Sequence, residues 1–138
     1  DILVLGRVLH HQAFWYENPG AAEATKPDAR WKKHFVANRV FGEAPLFRDI
    51  TGDGKPELIS ISGETAADKV KQWGWYAPNW AEPPQPWKFV PVTAKAEFNH
   101  YYHGEGVGDI NGDGLSDVVI GARYVESQSG KAYIVLGQ

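Results

Sequence analysis

The segment Asp109-Ile-Asn-Gly-Asp-Gly-Leu-Ser-Asp117 repeats the design of Asp49-Ile-Thr-Gly-Asp-Gly-Lys-Pro-Glu57 at an offset of 60 residues. No other feature narrows the fold as much. The repetition extends beyond these two acidic segments. Trp15-Tyr16 returns as Trp75-Tyr76 at the same offset, and Trp31-Lys32 returns as Trp87-Lys88 at an offset of 56. Asp1-Ile-Leu-Val-Leu-Gly6 matches Glu57-Leu-Ile-Ser-Ile-Ser62 and Asp117-Val-Val-Ile-Gly-Ala122, which places Asp1 where a third acidic segment would end. A period of this length marks one supersecondary unit used several times, each burying an apolar face against its neighbour.

Each period holds up to four strand-like runs. One leads into the acidic segment (44–49, 104–109) and one leaves it (1–6, 57–61, 117–121). A third is aromatic (13–17, 72–76, 132–136), and a fourth contains the tryptophan (31–36, 87–92). The runs are rich in Val, Ile, Leu and aromatic residues and are bounded by Gly, Pro, Asn or Asp. The 6 Trp, 6 Tyr, 6 Phe, 15 Gly and 9 Pro among 138 residues favour short strands and turns over helices. Residues 19–30 and 77–86 read as loops, and 65–72 have room for one helical turn. The fold class predicted is all-β, with propeller blades of four antiparallel strands. About two and a half blades are present: a partial one over 1–38, a complete one over 39–98 and a partial one over 99–138. Closed propellers have roughly four to eight blades. The expectation is therefore a fragment of something longer, a chain whose copies complete a ring, or a piece packed on a partner. The absence of Met and the opening on Asp1 inside an apolar run point to a processed or trimmed piece.

The acidic segments carry the clearest chemistry. In the second, Asp109, Asn111, Asp113 and Asp117 place oxygen-bearing side chains at spacings that a tight loop can wrap around one ion. Leu115 would contribute its backbone carbonyl. Gly112 and Gly114 permit the positive φ that such a turn requires. The first segment offers Asp49, Thr51, Asp53, the Lys55 carbonyl and Glu57. All the donors are hard oxygens, which suits Ca2+. Thr51 is a weaker ligand than Asn111, and Glu57 is one methylene longer than Asp117, so tighter binding is predicted at 109–117. An EF-hand is excluded, because its loop needs Glu at position 12 between two helices. Position 12 here is Ser60 or Ile120, inside a strand. The ion reads as structural: it neutralises carboxylates that otherwise repel and couples blade folding to metal. The same composition also makes metal-free Asp/Asn/Gly turns.

Other function classes are narrowed by composition. Lys plus Arg number 14 against 17 Asp plus Glu, a net charge of −3, which argues against nucleic acid as a partner. No apolar run approaches the roughly 20 residues of a membrane helix, so no membrane insertion is expected. The chain has no cysteine, which excludes disulfides, thiol nucleophiles and thiolate metal sites. His100 and His103 flank two tyrosines. On a strand their i, i+3 spacing points them to opposite faces, so they share a metal or substrate only in a loop. His103 is the better candidate, because Gly104-Glu-Gly-Val-Gly108 permits close approach to a propeller axis. His10 and His11 adjoin in a loop, and His34 in the tryptophan strand reads as packing or solvated. Trp15, Trp31, Trp75 and Trp87 recur with the period and read as packing between blades. Trp73 and Trp80 break the repeat and are the candidates for exposed, ligand-facing aromatics, whose faces suit sugar C–H groups.

Val107-Gly-Asp-Ile-Asn-Gly-Asp-Gly-Leu-Ser-Asp-Val-Val-Ile-Gly-Ala122 resembles the FG-GAP repeat of integrin α-type propellers. Phe47-Arg-Asp-Ile-Thr-Gly-Asp-Gly-Lys-Pro-Glu-Leu58 is similar to the related VCBS repeat of bacterial secreted proteins, as are Phe14–Pro19 and Trp31–Val36. The resemblance implies calcium in the loop between the first and second strand of a blade, held by the ten residues named above. It implies a secreted, extracellular or cell-envelope setting, and a module that recognises a glycan or protein ligand. Some similar propellers belong to polysaccharide lyases and a sugar dehydratase. A carbohydrate-active enzyme using His103 or His100 with Tyr101 or Tyr102 is thus the second reading, although no catalytic motif matches. A structural repeat that self-assembles into a ring is the third. The partners expected are the ligand and either the remaining blades or further copies of the chain.

Overall fold

A computed structural model describes residues 1–6, 11–63, 71–79, 82, 85–94, 102–122 and 130–137. Among these, ten strands form three antiparallel sheets of three, four and three strands. Blade 1 comprises β1 (Ile2–Leu5), β2 (Ala13–Glu17) and β3 (Lys32–Ala37). Blade 2 comprises β4 (Val40–Arg48), β5 (Glu57–Gly63), β6 (Lys71–Ala77) and β7 (Lys88–Pro91). Blade 3 comprises β8 (Tyr102–Gly108), β9 (Asp117–Ala122) and β10 (Lys131–Val135). Each strand pairs with its neighbour in sequence, and β4 lies against β8. The all-β class and the antiparallel sheets of three, four and three strands match the fold read from the sequence.

Two local expectations need correction. The segment 19–30 contains one helical turn, α1 (Ala21–Ala24). The helical turn expected over 65–72 fails at its end, because Lys71 and Gln72 belong to β6. There the backbone gains ladder hydrogen bonds to Gly63 and Ser62. The rest of that segment lies outside the described residues.

Strand alternation decides which blade each side chain meets. On β5, Leu58 enters the apolar cluster shared with blade 1, and Ile59 and Ile61 enter the cluster shared with blade 3. The first cluster joins Leu3, Trp15 and Val36 of blade 1 to Phe47, Leu58, Tyr76 and Trp87 of blade 2. The second joins Phe41, Ile59, Ile61 and Trp73 of blade 2 to Val118, Ile120 and Val135 of blade 3. The core is thus two slabs between sheets. Trp15, Trp75 and Trp87 pack in these slabs, as their periodicity predicts, whereas Trp31 is only half-buried and belongs to neither.

Gly74 explains the spelling Trp-Gly-Trp in β6. Trp73 and Trp75 share the face toward blade 3, and Gly74 looks the other way. A Cβ there would stand 2.2 Å from the Val90 carbonyl oxygen and 2.9 Å from Phe89 Cζ. Blade 3 departs from the 60-residue offset at β10. Tyr133 pairs with Ile120, whereas Ser60, the counterpart of Ile120, pairs with Gly74. Tyr133 therefore replaces Gly74 and Val135 replaces Tyr76, both facing blade 2. A one-residue slip of this kind reverses the face of every side chain on a strand.

Candidate metal loops and the cleft between blades

The two acidic segments form the connections β4–β5 and β8–β9, in equivalent places on adjacent blades. Gly52, Gly54, Gly112 and Gly114 have φ of 76°, 82°, 79° and 86°. These left-handed positions curl both loops in the same way. In the first, Asp49 Oδ1 accepts the Gly52 N–H at 2.7 Å and Oδ2 accepts the Gly54 N–H at 2.8 Å. In the second, Asp109 Oδ1 accepts from Gly112 at 2.6 Å and Oδ2 from Gly114 at 2.9 Å. Asp53 and Asp113 each accept the N–H two residues on, from Lys55 and Leu115, at 2.8 Å. The loops touch where the Ser116 hydroxyl donates to the Asp49 carbonyl at 3.4 Å.

The loops differ at their closing acid. Asp117 is buried at the start of β9. Its Oδ1 accepts from Gly137 N–H at 2.8 Å, and its Oδ2 from Ile110 at 2.7 Å and Asn111 at 3.3 Å. Chiefly the Gly137 and Ile110 donors hold its carboxyl below the ordinary range. Glu57, also buried, accepts from Ile50 N–H at 3.1 Å, with a smaller contribution from the Thr51 N–H. Burial first, and then the nearby charges of Asp53 and Asp49, push its carboxyl up. The three carboxylates of the first loop are therefore close enough to repel.

This bears on a cation. Every donor is a hard oxygen, and an oxygen that holds one N–H keeps a second lone pair, so the donor chemistry fits calcium. As they stand, the carboxylates turn onto backbone donors, chiefly of their own loops and, for Asp117, also the Gly137 N–H. No group of three or more His, Asp or Glu residues is gathered at metal-holding spacing among the described residues. Thr51, Asp53, Lys55, Asn111, Asp113 and Leu115 are exposed, and Asp49 is partly buried.

The other candidates fare differently. Trp73 was expected on the surface and is fully buried at 0% exposure. Its indole N–H donates to Glu105 Oε2 across the interface of blades 2 and 3, at 3.1 Å. The reason is register: it pairs with Ile61, whose face is covered by blade 3. Trp80, His100, Tyr101 and His10 lie outside the described residues. Tyr102 and His103 begin β8, and their side chains lie outside the described set. Among the described residues nothing lies within 4 Å of a Cβ built on Gly104, Gly106 or Gly108. Of the two readings of His34, packing is the one seen: it is buried, stacks on Trp15 at 4.4 Å and places Nε2 2.9 Å from Glu17 Oε2. His11 sits 4.3 Å from the Phe41 ring, where burial and then Lys71 lower its pKa.

Two features escaped the sequence reading. Glu105 inserts its carboxyl between blades 2 and 3, and Oε1 is buried without a hydrogen-bond partner among the described residues. Burial pushes this carboxyl up to about 8, against the pull of the Trp73 indole and the Leu46 amide. Its only signal was a lone acid between two glycines in a strand. The second feature is a cleft of about 560 Å³ between blades 2 and 3, lined by both acidic loops, Trp75, Val92 and Val135 to Gly137. Among the described residues no helix is long and apolar enough to cross a membrane.

Residues 103–135, which run from β8 to β10 and include the second loop, match the FG-GAP repeat family. No curated protein and no solved structure matches the chain.

Proposed function

We propose that the chain, whose residues 103–135 form an FG-GAP repeat, is a calcium-stabilised β-propeller module that recognises a glycan or protein ligand outside the cell. The repeat and the all-β blades establish the propeller-type module. The calcium reading is carried by one observation: the same oxygen-rich loop, with the same left-handed glycines, closes the first two strands of adjacent blades. Asp49, Thr51, Asp53, the Lys55 carbonyl and Glu57 would hold one ion. Asp109, Asn111, Asp113, the Leu115 carbonyl and Asp117 would hold the other. Bound there, calcium supplies positive charge to clustered carboxylates, and the mutual repulsion at Glu57 is the load it relieves. FG-GAP repeats are typically extracellular, where calcium is plentiful.

Calorimetric titration with calcium tests this directly. Two equivalents are expected, the tighter one weakened by Asp113→Asn and the weaker one by Asp53→Asn. The melting temperature should fall in chelator. No heat of binding and an unchanged melt would leave both loops as metal-free turns and remove the calcium reading. Glycan and protein screens in calcium buffer then test the ligand class.

A further inference from the structure

Asn111-Gly112 is the one Asn-Gly pair in the sequence. Glycine after asparagine leaves the backbone nitrogen unshielded by a Cβ, which opens the asparagine side-chain amide to attack from within the chain. Both residues are exposed, and among the described residues nothing lies within 4 Å of a Cβ built on Gly112. Each group that this reaction uses is engaged in the loop. The nucleophile, the Gly112 nitrogen, donates its proton to Asp109 Oδ1 at 2.6 Å. The Asn111 amide is bonded at both ends: Oδ1 accepts the Asp113 N–H at 3.0 Å, and Nδ2 donates to Asp113 Oδ2 at 2.9 Å. A hydrogen bond to the amide carbonyl polarises it and does not by itself prevent attack. Control therefore lies at Gly112, whose nitrogen is tied to a carboxylate in a short, charge-assisted bond.

We propose that Asn111 is a self-modification site, which converts to aspartate or isoaspartate when the loop opens and which the Asp109 carboxylate holds off while the loop is closed. The Gly112 nitrogen attacks Asn111 Cγ. The N–Cγ bond forms, the Cγ–Nδ2 bond breaks, and Nδ2 leaves as ammonia with the proton from Gly112. The cyclic imide then takes up one water. Opening its Cγ–N bond gives aspartate. Opening the bond to the backbone carbonyl gives isoaspartate, which routes the main chain through Cγ and lengthens it by a methylene. Either product adds a negative charge to a loop that already gathers Asp109, Asp113 and Asp117. Isoaspartate also shifts Gly112 and Gly114 away from the two Asp109 oxygens that hold them. The first loop shares the clamp without the reactive group: Gly52 N–H donates to Asp49 Oδ1 at 2.7 Å, but residue 51 is threonine. The modification thus distinguishes two loops of otherwise equal design. It needs no ion, so this inference and the calcium reading fail separately.

The full chain is incubated at neutral pH in chelator, so that no metal holds the loop, beside a synthetic peptide of residues 107–118. Peptide mapping by mass spectrometry reads the amide-to-acid mass gain at residue 111 and separates aspartate from isoaspartate. Asp113-Gly114 can cyclise by the same route, but its products carry no change of mass. The folded chain should react at least about tenfold more slowly than the peptide, because the reaction waits for local opening. The chain in urea should match the peptide. Asp109→Ala should raise the rate in the folded chain several-fold. Asp109→Asn, which loses the same charge but keeps an oxygen for the Gly112 N–H, should stay close to the unsubstituted chain. Asp49→Ala, the same change in the other loop, should leave the rate at residue 111 unchanged. Equal rates in the folded chain and the peptide overturn the proposal, as does a peptide that gives no product. So does an acceleration that Asp49→Ala shares with Asp109→Ala, which would assign the protection to the fold as a whole.

Discussion

Gly74 and Glu105 show how much single residues decide here. A methyl group at Gly74 has no room, since its nearest neighbour would be a backbone oxygen 2.2 Å away. Gly74→Ala should cost about 1–3 kcal/mol, the usual penalty of overpacking, measured by denaturant unfolding. Glu105 predicts a pH dependence. Its native carboxyl keeps the proton up to about 8. The unfolded chain releases it near the ordinary glutamate value of about 4.3. Between these values the native state binds the extra proton. Stability therefore falls as pH rises from about 4.3 to about 8 and levels off above that, with a slope of at most about 1.4 kcal/mol per unit from this group. Glu105→Gln should remove that component of the slope and keep the Trp73 hydrogen bond. Equal pH profiles for the two proteins, by chemical unfolding at several pH values, would count against burial of the acid.

At the scale of elements, period-two alternation sets the energetics of β9 and β10. Ile120 is fully buried toward blade 2, whereas Ile134, on the adjacent strand, faces the other way and is 58% exposed. Ile120→Ala should cost about 2–5 kcal/mol. Ile134→Ala should stay within about 0.5 kcal/mol. Similar costs would mean that the pairing of Tyr133 with Ile120 is misassigned by one residue. The strands themselves were legible in the sequence, because apolar runs end at Gly, Pro and Asp. The register of β10 was not, because Tyr133 and Val135 suit either face when only chain spacing is known. The site was legible in the same uneven way. The loops announced themselves through Asp and Gly at fixed positions. Glu105 and the cleft depend on what the next blade brings opposite them.

At the scale of the whole molecule, two sheet faces lack a covering blade among the described residues. On blade 1, Ile2 and Val4 are exposed at positions whose counterparts, Leu58 and Ser60, are buried in blade 2. On blade 3, Val119 and Ile134 are paired neighbours on an exposed apolar face. Contiguous apolar surface of this kind drives association in water. The chain alone should show concentration-dependent mass in sedimentation, reduced by Ile2→Lys combined with Ile134→Lys. A strict monomer at all concentrations would show that these faces do not drive assembly.

The 60-residue repeat, the all-β class and the two oxygen-rich loops were determined by sequence alone, because turn chemistry and strand alternation are local properties written into neighbouring residues. The burial of Trp73, the raised carboxyl of Glu105 and the cleft beside Trp75 were decided only when blades stacked. Each depends on a face-to-face contact between residues far apart in the chain, and a one-residue change of register reverses which face is inside.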